Sequence, residues 1–76
     1  MQNLYKLIYE SLECDPKLIN HNTIIEDIEE WDSLGQLAVL SALSNETEGK
    51  TDSLDLTNLK SIADLEEILT KNNIIL

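Results

Sequence analysis

The sequence predicts an all-α fold: a small helical bundle of three main helices and one short helix, with a long first connection. Three observations carry that expectation. Apolar residues recur at helical spacing in three separate stretches. No stretch alternates apolar and polar residues at the two-residue period of a strand over a useful length. The chain has 76 residues, enough for a single domain spanning 1–76 and too few for two. A domain of this size buries only about 60% of the surface its unfolded chain exposes. Its core is therefore thin, and a deep, walled catalytic cavity is hard to build.

In the first stretch Leu4, Leu7, Ile8 and Leu12 fall at i, i+3, i+4 and i+8, which is one face of a helix. Asn3 is suited to cap its start. Asp15-Pro16 closes it, because the residue before a proline is held out of the helical region. The first helix is expected from Asn3 to Cys14. Residues 15–32 keep no sustained period: Leu18, Ile19, Ile24, Ile25 and Ile28 recur irregularly. They read as a long loop pinned to the core by aliphatic side chains, and loops this long in small domains are often functional. The loop ends in an acidic run of Glu26, Asp27, Glu29, Glu30 and Asp32.

Asp32-Ser33 offers a second helix start, with either residue able to cap. Leu34, Leu37, Ala38, Val39, Leu40, Ala42 and Leu43 follow, an apolar surface wider than a stripe. This helix is expected to sit centrally and to touch the core on more than one side. Glu48-Gly49-Lys50 is its exit, Gly49 suiting a left-handed cap. Ser53, Leu54, Asp55, Leu56 and Leu59 suggest a short helix. Ser61 can cap the last helix, an acid at its third position favours the positive helix end, and Ile62, Leu65, Ile68 and Leu69 give its inner face. The tail 72–76 ends apolar and is expected to fold back on the core.

Composition narrows function. Fifteen acids stand against five lysines and arginines, for a formal charge of −10. Such a surface repels nucleic-acid phosphates and anionic membranes, and is drawn to basic patches on partner proteins. Solubility alone is the plainer account of the same charge. Charge argues for disorder, but 42% hydrophobic residues at helical spacing argue against it. Cys14 is alone and cannot form an internal disulfide, which fits a reducing compartment. No apolar run reaches the length of a membrane helix, and Met1-Gln2-Asn3 does not open a signal peptide. A cytoplasmic, monomeric protein is expected.

The distinctive segment is Glu30-Trp31-Asp32-Ser33-Leu34-Gly35-Gln36-Leu37. A serine at a helix start is exposed to a modifying enzyme, and a phosphate on it meets unpaired backbone N–H groups and the positive end of the helix dipole. The plain reading of Ser33 is an N-cap worth about 1 kcal/mol.

On Asp32-Ser33-Leu34 at the start of the central helix, the chain resembles the acyl carrier protein family, including its peptidyl and aminoacyl members. The resemblance covers nearly the whole chain through the order of helices and loop. It implies an acyl-carrier-like four-helix bundle in which a phosphopantetheinyl transferase esterifies Ser33 with 4′-phosphopantetheine from coenzyme A. The thiol of that arm then holds an acyl or aminoacyl group as a thioester. The partners implied are that transferase, an acyl- or aminoacyl-loading ligase and downstream transferases. The cofactor site falls on Ser33, Asp32 and Leu34, Asp32 helping to hold the divalent metal that neutralises diphosphate charge during the transfer and the leucine anchoring the loop–helix corner and contacting partners. Partner contacts fall on Glu30, Trp31, Leu37 and Glu46, although the favoured reading of Trp31 is packing over the helix entrance. The protein itself is not expected to be an enzyme.

Two features set the chain apart within that resemblance: the residues that follow the motif serine, and Trp31 before it. Many fatty-acid carriers have acids soon after the motif serine, where basic partners grip; here Gly35 and Ala38 stand instead, and the negative charge lies in the preceding loop. This points to a specialised pathway over housekeeping fatty-acid synthesis. Gly35 also leaves open either room for the arm or its transferase, or a frayed turn without a role. The rival from another class is an unmodified acidic helical adaptor docking a basic partner. His21, the single histidine, would have to lie beside Ser33 to form a hydrolytic triad, and nothing in the spacing demands it. Cys14 reads as a small buried hydrophobe, Tyr5 and Tyr9 as flanks of the core. The acids of 26–32 lack the spacing and central glycine of an EF-hand, and no metal site is expected.

Overall fold

The computed structural model describes residues 2–76, which form three α-helices and no strand. These are α1 (Gln2–Leu12), α2 (Ser33–Glu46) and α3 (Ile62–Lys71), with single 3-10 turns at Pro16–Leu18 and Ile25–Asp27 in the long first connection. Leu4, Ile8 and Leu12 of α1, Val39 and Leu43 of α2, and Ile62, Leu65 and Leu69 of α3 form one core with Ile19, Ile28, Leu56 and Ile74. Each fully buried aliphatic side chain contributes about 1.5–3 kcal/mol. Tyr5 and Tyr9 flank this core, half-buried. No helix among the described residues is long and apolar enough to cross a membrane.

α1 is shifted from its expected bounds. It already includes Gln2, so Asn3 lies within it and does not cap it. It ends at Leu12 because Glu13 turns left-handed, at φ 54°, and the Cys14 N–H closes back on the Tyr9 carbonyl at 3.2 Å. The long connection is tied down as expected, but by fewer side chains. Ile19, Ile25 and Ile28 are buried, whereas Leu18 and Ile24 are each 45% exposed. Its backbone makes up the difference. The Ile25 N–H donates to the Lys60 carbonyl at 2.9 Å and the Ile62 N–H to the Thr23 carbonyl at 3.0 Å, an isolated antiparallel bridge that fastens the loop to the entrance of α3.

The expected short helix over 53–59 is absent; 51–60 is a run of turns and extended backbone. Side chain chemistry accounts for it. Asp55 accepts both the Thr57 N–H at 3.1 Å and the Thr57 hydroxyl at 2.6 Å, a local turn that competes with helical hydrogen bonding. Those bonds hold the Asp55 carboxyl below its usual range. The other ends follow the sequence. Gly49 is left-handed at φ 82° and its N–H returns to the Ser44 carbonyl at 2.8 Å. Ser61 and Asp64 form a reciprocal capping box on α3. In the tail Ile74 is buried and Leu76 packs on the core, while Ile75 is exposed.

Candidate functional site

The start of α2 divides its labour between two adjacent residues. Asp32 is the N-cap: its Oδ1 accepts the Gly35 N–H at 2.9 Å, and its carbonyl accepts the Gln36 N–H at 2.8 Å. Ser33 is therefore the first helical residue and not the cap. It is exposed, and among the described residues its hydroxyl, its N–H and the Leu34 N–H have no hydrogen-bond partner. A free hydroxyl thus sits beside two free donors at the positive end of a 14-residue helix, a setting that favours an esterified phosphate.

Burial along α2 corrects the expectation of a helix wrapped by core. Gly35, Val39 and Leu43, at i, i+4 and i+8, are its buried stripe, with Leu40 half-buried beside it. Leu34 is 77% exposed and Leu37 61% exposed. Leu34 does not anchor the loop–helix corner; that role falls to Gly35 and Trp31. A Cβ on Gly35 would land on the Glu30 carbonyl oxygen and within 2.9 Å of Leu12 Cδ2. The glycine makes room for the chain's own loop and first helix, so it neither opens the outer face to an arm or a transferase nor marks a frayed turn.

Trp31 lies half-buried against the core, and its Nε1 donates to Gln36 Oε1 at 2.8 Å. Gln36 Nε2 in turn donates to the Leu56 carbonyl at 3.4 Å. Gln36 thus joins the loop end, α2 and the 51–60 segment. No signal in the sequence marked it, since a tertiary partner chose its role. Trp31 also lines a groove of about 610 Å³ with Ile24, Ile25, Glu26, Leu59 and Lys60, residues of the long connection and of the 51–60 segment.

Glu30, Trp31, Asp32, Ser33, Leu34 and Leu37 all gather at this corner. Glu46 does not: it ends α2, about 20 Å along the axis from Ser33 at 1.5 Å per residue. Glu26, Asp27, Glu29, Glu30 and Asp32 are all exposed, and no group of three or more His, Cys, Asp or Glu among the described residues could hold a metal. His21 is engaged elsewhere, with Nδ1 3.1 Å from Glu66 Oε1, the oxygen that also accepts the Tyr5 hydroxyl at 2.7 Å. Cys14 is half-buried. Burial, and then the Glu30 carboxylate, push its thiol above its ordinary 9.0, which disfavours the reactive thiolate.

Comparison with protein-family models, with curated proteins and with solved structures finds no match to this chain.

Proposed function

We propose that this chain is a carrier that holds acyl or aminoacyl intermediates on a 4′-phosphopantetheine arm attached to Ser33. One observation carries the reading: Asp32 takes the cap, which leaves the exposed Ser33 hydroxyl unbonded beside the free N–H groups of Ser33 and Leu34. In the transfer, Ser33 Oγ attacks the diphosphate of coenzyme A. An O–P bond to serine forms, the P–O bond to adenosine bisphosphate breaks, and the hydroxyl proton passes to the transferase's base. The two N–H groups and the helix dipole then face the phosphodiester. Asp32 commits Oδ1 to Gly35 and keeps its second oxygen for the divalent cation that serves the diphosphate. The arm supplies a thiol that holds the cargo as a thioester.

The protein itself catalyses nothing in this reading. A phosphopantetheinyl transferase, a loading ligase and downstream transferases act on it as a monomer in the cytoplasm. Tethering raises the local concentration of cargo at each enzyme. The uncharged start of α2 favours a specialised biosynthetic pathway over housekeeping fatty-acid synthesis.

The test is intact mass after incubation with a broad-specificity phosphopantetheinyl transferase, Mg²⁺ and coenzyme A, beside a Ser33→Ala control. Gain of one phosphopantetheine in the native chain alone supports the carrier. No gain in a chain shown to be folded by circular dichroism favours an unmodified acidic helical adaptor, the second reading, which the exposure of Leu34 and Leu37 also supports.

A further inference from the structure

We infer that Trp31 and Gln36 form a polar staple across Ser33, and that Gln36 is a positioning residue for the modification of that serine. The inference rests on the carrier reading and deepens it by naming what holds the nucleophile in place. Ser33 makes no side-chain hydrogen bond of its own among the described residues, so the chain on either side of it sets where its Oγ stands. Asp32 caps α2, which makes Trp31 the residue before the cap and Gln36 the fourth residue of the helix. At those two positions an apolar pair often packs together and fixes the angle at which a chain enters a helix. Here the pair is joined by a hydrogen bond, Trp31 Nε1 donating to Gln36 Oε1 at 2.8 Å. The bond spans Asp32, Ser33, Leu34 and Gly35.

Both ends of the staple are anchored. The Trp31 N–H donates to the carbonyl of Ile28 at 3.0 Å, and Ile28 is buried in the core. Gln36 donates from Nε2 to the carbonyl of Leu56 at 3.4 Å, and Leu56 is buried as well. An indole N–H only donates and a backbone carbonyl only accepts, so the two partners hold the Gln36 amide in one orientation. A glutamate would keep only the acceptor and a lysine only the donor. Without the staple the loop end gains freedom about the Asp32 cap, and Ser33 moves with it. Attack on a diphosphate needs the nucleophile aligned with the leaving group, and a misplacement of about 1 Å costs up to about 100-fold in rate. The loss therefore falls on kcat, after the modifying enzyme has bound.

The experiment is uptake of phosphopantetheine from coenzyme A by a broad-specificity phosphopantetheinyl transferase with Mg²⁺. kcat and KM are measured separately for the native chain, Gln36→Met, Trp31→Phe and the double variant, each shown by circular dichroism to be folded at the assay temperature. Methionine keeps the length of glutamine, phenylalanine keeps an aromatic ring, and each removes one half of the staple. Each single variant is expected to lower kcat about tenfold with KM within about twofold of native. The double variant is expected to lose no more, because the second change finds the staple already broken. Where Gln36→Met fails to fold, Trp31→Phe carries the test. Ile74→Val, a destabilising change beside Glu46 and Thr47 at the far end of α2, is expected to keep the native kcat. Additive losses, a native kcat in Trp31→Phe, or an equal loss in Ile74→Val would overturn the positioning role while modification of Ser33 stands. The staple is also read without any transferase: the indole proton of Trp31 is expected to exchange with solvent more slowly in the native chain than in Gln36→Met, and equal rates would overturn the inference. If the native chain takes up no phosphopantetheine while that proton is protected, the carrier reading falls and the positioning role with it.

Discussion

Asp32 Oδ1 lies 2.9 Å from the Gly35 nitrogen, and that one bond gives the cap of α2 to Asp32 and leaves the Ser33 hydroxyl without a hydrogen bond among the described residues. Losing an aspartate cap costs about 1 kcal/mol. Asp32→Ala is therefore expected to destabilise the fold by that amount. Ser33→Ala, at an exposed position with no hydrogen bond to lose, is expected to stay within about 0.5 kcal/mol and, on the proposed carrier reading, to end phosphopantetheine uptake. Urea denaturation followed by the emission of Trp31, the single tryptophan, measures both. Equal costs for the two variants would mean that Ser33 shares the cap.

Gly35→Ala sets two effects against each other. Alanine gains up to about 1 kcal/mol in helix propensity. Its methyl would also collide with the Glu30 carbonyl and crowd Leu12 Cδ2, and forced shifts of that kind cost about 1–3 kcal/mol. Backbone is the harder obstacle to move, so net destabilisation is expected. A lower urea midpoint at unchanged m-value checks it; a raised midpoint would show that the loop yields freely.

What the sequence disclosed and what it withheld follow from where each feature is decided. The helix start at Asp32-Ser33, the Gly49 turn and the Ser61–Asp64 capping box are local chemistry and legible, while which of Asp32 and Ser33 caps stayed open until the Asp32–Gly35 bond decided it. So was the inner face of α3, where polar residues interrupt the apolar ones. α2 was not: from Leu34 to Leu43 its apolar residues point in every direction, so periodicity says nothing about which ones the core takes. Only the packing of Leu12 and the Glu30 carbonyl onto Gly35 turns Leu34 and Leu37 outward. The short helix expected at 53–59 failed for a local reason that was present in the chain. Asp55 and Thr57, two apart, form a side-chain turn that outcompetes a helix with few apolar anchors.

Tyr5 gives a prediction in alkali. Its hydroxyl donates to Glu66 at 2.7 Å. Burial, then that bond and the charge of Glu66, raise its pKa above the ordinary 10.0. A raised folded pKa means that the native state binds more protons than the unfolded one in the window above 10.0. Stability is therefore full below that pH and falls as pH rises toward the folded value. Cys14 adds a drop of the same sign, beginning above 9.0. Tyr5→Phe is expected to cost about 1 kcal/mol near neutrality and to flatten the fall of stability above pH 10. Urea midpoints between pH 8 and 11 test it, and an unchanged alkaline slope in the variant would remove Tyr5 from the account.

Leucines of one helix should differ most sharply in what their loss does. Leu43 is fully buried in the core, and Leu43→Ala is expected to cost about 2–5 kcal/mol through lost burial and the cavity left behind. In a domain this small that is a large part of the total stability. Leu34→Ala and Leu37→Ala remove side chains that face water, so each stays within about 0.5 kcal/mol. Trp31 emission against urea reads all three on one scale. Near-equal costs would place Leu34 and Leu37 in the core after all. The expected separation leaves two large apolar side chains that contribute almost nothing to folding, on the helix side of an unbonded serine hydroxyl.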